Sequence, residues 1–182
     1  MIETTLKSTR LHLELITHSD LEFIHNLLSH EVTDRYNALG IPESLEETIH
    51  LIAPWINENQ LDNVINHTWI IKNQATQENI GLIGLKLSNN KYHRGEVWYK
   101  IHPDQWRQGY ATEALKRVID FGFDQHNLHR IQAGCAIENT ASIRVLEKVG
   151  MTKEGRGRQL LPLKSGWSDN FEFSILESDP RP

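Results

Sequence analysis

The stretch that organises this chain is Glu96-Val-Trp-Tyr-Lys-Ile-His-Pro-Asp-Gln-Trp-Arg-Gln-Gly-Tyr-Ala-Thr-Glu-Ala-Leu115. Its first part, 96–101, is predicted to be a strand, and 109–123 places apolar residues on one face of a helix. The first N–H groups of a helix lack internal partners and carry partial positive charge. Because Gly109 has no Cβ and Arg107 adds a cation, the loop between strand and helix is suited to a pyrophosphate. The alternative is an ordinary helix start beside a solvated arginine.

A second informative stretch is Glu138-Asn-Thr-Ala-Ser-Ile-Arg-Val-Leu-Glu-Lys-Val-Gly-Met151. It joins a predicted strand at 130–137 to a short predicted helix at 140–149. The amide of Asn139 can either cap this helix or bind an amide-rich ligand arm. Ser142, on the first helical turn, either offers its hydroxyl to a ligand or bonds the backbone.

The rest of the chain predicts a sheet with helices on its surface. Alternating Leu residues predict a strand at 11–15, and helical spacing predicts helices at 21–28 and 45–56, the second kinked or ended by Pro54. We expect a loop at 57–66 and a turn at 89–91. Further strands are predicted at 69–71, 80–87, 160–163 and 171–176. About seven strands and about four helices in this order indicate an α/β (α+β) fold with a mixed, mostly antiparallel central sheet. We expect one domain over 1–182.

Composition narrows the class of function. The chain has 182 residues, 38% of them hydrophobic, and a formal net charge of −5. Its 19 basic residues are spread along the sequence rather than gathered in a patch, so we expect no nucleic-acid partner. No apolar run approaches the ~18 residues that a membrane helix needs, so we expect no membrane partner and a cytoplasmic location. The single cysteine, Cys135, is interpreted as a small buried hydrophobe. His126 and His129 are interpreted as surface or capping residues, and no metal is expected.

Together the two stretches resemble the GNAT superfamily of N-acetyltransferases, and within it the RimJ/RimL-type ribosomal-protein N-terminal acetyltransferases. The first motif of that group is similar to Trp106-Arg-Gln-Gly-Tyr-Ala-Thr-Glu-Ala114. Trp106 stands where the wider superfamily usually has Gln or Arg. The second motif is similar to the set Asn139, Ser142, Lys148, Gly150 and Met151. The segments Arg10-Leu11, 17–20, 166–169 and 173–176 also look like this group, so the resemblance covers nearly the whole chain.

The resemblance implies that acetyl-CoA is the cosubstrate and assigns its contacts. The backbone of the loop and first helical turn would hold the pyrophosphate, through Arg107, Gln108, Gly109, Tyr110, Ala111 and Thr112. The strand end at Ile101 and His102 would pair with the pantetheine arm through main-chain amides. Asn139 and Ser142 would line the other side of that arm.

Acetyl transfer to an amine needs a base, an oxyanion donor and a protonated leaving thiolate. Glu96 is the first candidate for the base, directly or through water, and its alternative role is a solvated strand carboxylate. Glu138 is the second candidate. Many GNAT enzymes protonate the thiolate with a tyrosine, but Leu146 stands at that position here. Ser142 or water would replace it, or the thiolate would leave unaided, since thiols titrate near ~8.5.

Of the parts of the reaction, the acceptor is the one that the sequence determines least. The resemblance favours a protein N-terminal α-amine, and a ribosomal protein would then be the partner. The alternatives are a small amine such as a polyamine, amino acid or aminoglycoside, and a non-catalytic acyl-CoA-binding module. Substrate choice is expected to depend on 34–36 and 162–170. We expect a monomer or a homodimer.

Overall fold

One eight-stranded sheet forms the centre of the computed structural model, which describes residues 4–61, 65–88 and 91–182. The strands are β1 Leu6–Lys7, β2 Leu11–Leu15, β3 Asn66–Asn73, β4 Asn79–Leu87, β5 Arg94–Ile101, β6 Arg130–Ala136, β7 Thr152–Leu163 and β8 Gly166–Leu176. Their order is β1-β2-β3-β4-β5-β6-β8-β7. Among the described strands only β5 and β6 pair in parallel, which confirms a mixed, mostly antiparallel sheet.

Helices cover both faces of the sheet. They are α1 Leu21–Ser29, α2 Glu31–Asp34, α3 Leu45–Glu58, α4 Tyr110–His126 and α5 Thr140–Lys148. On one face, here called the α1–α3 face, buried residues of α1 and α3 pack against Ile70 and Leu82 of the sheet. On the other, the α4–α5 face, residues such as Leu115 and Leu146 pack against Ile83 and Val97.

Strand β5 supplies side chains to both faces. Val97 and Tyr99 pack on the α4–α5 face and Trp98 packs on the α1–α3 face, as period-two alternation predicts. A Cβ on Gly84, which is paired with Trp98 in β4, would lie 2.2 Å from the indole Nε1. Gly84 therefore makes the room that the indole needs.

One strand and one α-helix of the described chain have no counterpart among the predicted elements, nor do two 3-10 helices, His18–Asp20 and Pro103–Gln105. The strand and the α-helix are the two-residue Leu6–Lys7 and the four-residue Glu31–Asp34, which bring the described totals to eight strands and five α-helices. Neither of these is long enough to show a periodic pattern. The short helix matters for function, because it lies beside the end of β5.

The sequence predicts that Pro54 either kinks or ends its helix. In the structure the helix continues past Pro54. Helix α3 starts at Ser44, whose side chain accepts a hydrogen bond from the Glu47 amide, and it continues to Glu58. The Pro54 ring faces solvent, while Ile52 and Ile56 on either side are buried. Burial of the apolar face therefore outweighs the one backbone hydrogen bond that proline removes.

The last two strands are longer than predicted. Strand β7 begins at Thr152 rather than Leu160. The sequence does not reveal its first half, because nearly all residues of this edge strand are exposed and show no apolar alternation. The predicted loop at 57–66 overlaps the end of α3 and the start of β3. Residues 62–64, and residues 89–90 of the predicted turn, lie outside the described residues.

His126 is not simply a surface residue. Its Nε2 lies 3.0 Å from Nε2 of His67, a residue of β3 that is 1% exposed. The two imidazoles pack among Trp69 and Phe121. His129 is exposed and forms an ion pair with Glu177.

Candidate active site

Strands β5 and β6 separate within the sheet and leave a gap. They pair in parallel at Arg94, Gly95 and Glu96 with residues 130–132, and beyond that register no pairing between the two described strands is found. Strand β5 stays paired with β4 as far as Ile101, and β6 stays paired with β8 as far as Ala136. An open strand edge inside a sheet is a ready partner for an extended, amide-containing molecule.

One hydrogen bond reaches across this gap on the α4–α5 face. The Tyr99 hydroxyl donates to the carbonyl oxygen of Ser142 at 3.4 Å. Burial raises the pKa of the Tyr99 phenol well above its usual value, so the hydroxyl stays protonated and acts as a donor. The Ser142 hydroxyl makes no hydrogen bond to any described residue, and it is therefore available to a ligand.

Asn139 lies at the same end of the gap and caps helix α5. Its Oδ1 accepts a hydrogen bond from the Ser142 amide at 3.2 Å, so the capping role is confirmed. Its Nδ2 has no hydrogen-bond partner within the described part of the chain. The same side chain can therefore cap the helix and donate to a ligand.

The loop before α4 has the geometry expected of an anion site. Gly109 precedes the helix with φ +82°, a left-handed conformation that favours glycine, and no side chain caps the helix. Arg107, also left-handed at φ +61°, is exposed together with Gln108 and Gly109. The Tyr110 side chain is buried and its hydroxyl accepts from Asn73 at 3.2 Å, so only its backbone amide faces the loop.

Arg10, which directly precedes β2, contacts this loop and the first turn of α4, a role that the sequence does not indicate. Its main-chain N–H and its Nε donate to Glu113 at 2.7 and 2.8 Å, and its Nη1 donates to the Gln108 carbonyl at 3.1 Å. Burial acts to raise the pKa of Glu113, but hydrogen bonds from Ser8 and Arg10 outweigh it and lower that pKa. The partner of Glu113 comes from the start of β2, so no local pattern reveals it.

The end of β5 is already partly bonded within the protein. The His102 N–H donates to the Ile80 carbonyl at 2.8 Å, and the Ile101 carbonyl accepts from the Trp106 indole at 2.7 Å. The His102 side chain is also engaged, since its Nε2 lies 3.1 Å from His30 Nε2 and 3.0 Å from Asn26 Oδ1. Of the main-chain groups expected to meet a pantetheine arm, the His102 N–H and the Ile101 carbonyl are therefore already bonded within the protein.

The two candidate bases stand far apart. Glu96 is exposed at the point where the strands separate, and it lines a shallow pocket of about 250 Å³ with Lys86 and Gln132. Glu138 is exposed beyond the far end of β6. The four steps of extended chain from Gln132 to Ala136 alone correspond to roughly 13 Å, and Glu138 lies in the turn beyond them. One bound amine cannot reach both carboxylates.

Comparisons with known proteins agree with this geometry. Residues 10–152 match the family model described as an acetyltransferase (GNAT) domain. The chain belongs to the GNAT acetyltransferase family. It is an N-acetyltransferase that uses acetyl-CoA as cosubstrate.

Individual relatives differ in what they are called. The chain is 36% identical over 172 residues to an uncharacterized N-acetyltransferase, YoaA, of Bacillus subtilis, covering 94% of this chain and 96% of YoaA. It is similar to the crystal structure of spermidine N-acetyltransferase from Vibrio cholerae in complex with CoA and spermine, with TM-score 0.82, 27% identity and coverage of 94% and 98%. It has the fold of RimL, a ribosomal L7/L12 α-N-protein acetyltransferase, with TM-score 0.85, 19% identity and coverage of 94% and 97%.

Two residues of this GNAT domain are unsuited to acid or nucleophile chemistry. Leu146 is 1% exposed in the core, so the position carries no proton donor. Cys135 is buried, as predicted, and burial raises the pKa of its thiol to about 11.

Within the described residues no group of three or more His, Cys, Asp or Glu side chains is arranged to hold a metal ion. None of the described helices is long and apolar enough to cross a membrane.

Proposed function

We propose that this enzyme acetylates an α-amine at the N-terminus of a protein or peptide, for which a ribosomal protein is one candidate. The observation that carries the proposal is the gap between β5 and β6. This gap opens at the same end of the sheet as the loop before α4. Asn139 and Ser142 follow β6, on the other side of the gap. An extended thioester arm that starts at the loop would run along β5 towards Glu96.

The cofactor contacts follow from this placement. Free backbone N–H groups in the first turn of α4 would hold the pyrophosphate, assisted by the exposed Arg107. The segment involved is 107–112. The Asn139 Nδ2 and the Ser142 hydroxyl would bond the pantetheine amides from the β6 side. These contacts leave the α1–α3 face of β5 open to the acceptor.

The reaction then needs three groups. The amine nitrogen attacks the thioester carbonyl, the C–N bond forms, and Glu96 takes the released proton directly or through water. An open N–H on β5 stabilises the oxyanion. The C–S bond breaks, and the thiolate accepts a hydrogen bond from the Ser142 hydroxyl while water returns to it the proton that Glu96 took from the amine. Glu96 suits an α-amine because that amine titrates near ~8, against ~10.4 for lysine, and needs little help from a base.

A small amine is the second candidate acceptor. It is supported by the 27% identity to a spermidine acetyltransferase over 94% of this chain. The third candidate, an acyl-CoA-binding module without catalysis, is favoured by Leu146 and opposed by the exposed carboxylate of Glu96 at the head of the gap.

A thiol-release assay distinguishes the three. The protein is incubated with acetyl-CoA and with peptides, amino-acid amides, aminoglycosides or polyamines in turn. We expect CoA release to depend on acceptor and to be fastest with peptide α-amines. Preferred turnover of spermidine would select the second candidate, and CoA binding without turnover of any acceptor would select the third.

A further inference from the structure

Among the described residues, two buried charged side chains on the α1–α3 face lack a hydrogen bond or an ion pair. Asp34 is 5% exposed and Lys100 is 7% exposed. Within the described residues, neither Asp34 Oδ1 nor Lys100 Nζ has a hydrogen-bond partner. Burying a charge without a partner is costly, so such a pair calls for a ligand that completes it.

The geometry of α2 brings the two residues together. His30 precedes α2 and touches His102 just past β5, with 3.1 Å between their Nε2 atoms. Asp34 follows His30 by four residues, one helical turn or about 6 Å. Lys100 precedes His102 by two residues on the same side of the strand, or about 6.6 Å. The Asp34 carboxylate is near enough to act on the charge of Lys100, although the two side chains form no ion pair.

Lys100 stands on the acceptor side of the gap. Alternation puts Glu96, Trp98 and Lys100 on the α1–α3 face, opposite Val97 and Tyr99. The backbone of the same residues forms the open edge of β5. On this face Glu96 lies towards the start of β5 and the buried Lys100 towards its end, with Trp98 between them.

The charge of Lys100 selects among acceptors. Burial lowers the pKa of Lys100, and the nearby Asp34 carboxylate opposes that shift and so favours the ammonium. A buried ammonium repels a polyamine, which carries only positive charge. It attracts a carbonyl or carboxylate oxygen, which accepts its hydrogen bonds.

We propose that Lys100, with the Asp34 carboxylate nearby, binds the oxygen adjacent to the acceptor's amine, so that the enzyme selects α-amino acyl compounds over polyamines. The assignment rests on the proposed acetyl transfer and names the acceptor chemistry of the same site. The oxygen is either the first carbonyl of a peptide or the carboxylate of a free amino acid.

The test uses matched acceptors that differ only in this oxygen. Each pair consists of an amino-acid amide and the amine that lacks its carbonyl carbon, such as phenylalaninamide and phenethylamine. The free amino acid and spermidine are further arms, and kcat/KM is measured for each. The variants are Lys100→Met and Asp34→Asn, and Lys7→Met is the control, since Lys7 is an exposed residue on edge strand β1.

We expect Lys100→Met to lower kcat/KM at least roughly tenfold for the amides, the usual size for a charged hydrogen bond. The amines without the carbonyl should change less than about twofold, and Kd for CoA should not change. Asp34→Asn should act in the same direction and more weakly. The double variant, which removes both charges and so avoids an isolated buried carboxylate, should lose the same discrimination if Lys100→Met alone does not fold.

Three outcomes would overturn the assignment. An equal loss for both members of each pair would mean that Lys100 is only structural. A preference for spermidine that Lys100→Met leaves unchanged would exclude the selection while keeping the acetyltransferase. CoA binding with no turnover of any acceptor by the wild-type protein would overturn the proposed function itself. Among supporting outcomes, a free amino acid better than its amide identifies the carboxylate as the bound group, and the reverse identifies the peptide carbonyl.

Discussion

Arg10 holds the first turn of α4 through Glu113, to which it donates from its main-chain N–H at 2.7 Å and from Nε at 2.8 Å. The same guanidinium lies 4.6 Å over the Tyr110 ring and bonds the Gln108 carbonyl. We expect Arg10→Ala to loosen the loop and raise Kd for CoA by about three- to tenfold, a size consistent with one charged hydrogen bond. Calorimetry measures this, with Arg117→Ala, farther along α4, as the control. Equal Kd values for CoA in the two variants would mean that Arg10 does not support the loop.

Gly109 allows a second test of the pyrophosphate site. At φ +82° any other residue is strained by roughly 1–2 kcal/mol, although a Cβ would meet nothing closer than Arg10 Nη2 at 3.5 Å. Gly109→Glu should therefore destabilise the fold slightly and abolish CoA binding by charge repulsion. Gly40 has the same φ and open space around it, so Gly40→Glu reproduces the strain alone. Melting curves with and without CoA separate the effects, and CoA-dependent stabilisation of Gly109→Glu would place the pyrophosphate elsewhere.

The proposed role of Glu96 as the base is tested by replacing its carboxylate with an amide. Glu96→Gln should lower kcat by roughly 10²-fold while Kd for CoA stays the same, because the carboxylate touches the amine and not the cofactor. The loss should shrink as pH rises, since more of the amine then arrives neutral. Glu138→Gln, at the far end of β6, is the matched control. Wild-type turnover by Glu96→Gln across the pH range would leave Glu96 as a solvated strand residue.

The His67–His126 pair predicts how stability depends on pH. Burial, aided by the nearby His126, lowers the pKa of His67 from 6.5 to about 4. The unfolded chain then binds more protons between these values, so stability is full above about pH 6.5 and falls as pH drops towards 4. The loss is on the order of 2–3 kcal/mol. Urea unfolding from pH 7.5 to 4.5 measures it, and His67→Phe should flatten the profile.

His129→Gln is the control for that experiment. His129 is exposed, and its ion pair with Glu177 lies on the surface. Its replacement should therefore leave the acid dependence of unfolding intact. A His67→Phe profile as steep as the wild type would assign the acid sensitivity to other groups.

Much of the fold could be predicted because its elements have local signals. The strand–loop–helix unit around Gly109 and the capping of α5 by Asn139 both follow from residues within one turn of each other. Element ends were less predictable where no side chain is buried, as in β7. The branch of the family remains a prediction, since a spermidine acetyltransferase and RimL are both structural neighbours.

The sequence by itself determined the strand–loop–helix unit around Gly109, the alternation of β5 and the family, because each depends on residue types at short, regular spacings. Only the tertiary structure decided where β5 and β6 separate, that Arg10 holds Glu113, and that Asp34 comes near Lys100. These contacts join residues dozens of positions apart. Their geometry is set by how helices pack on a twisted sheet, and no short-range pattern encodes it.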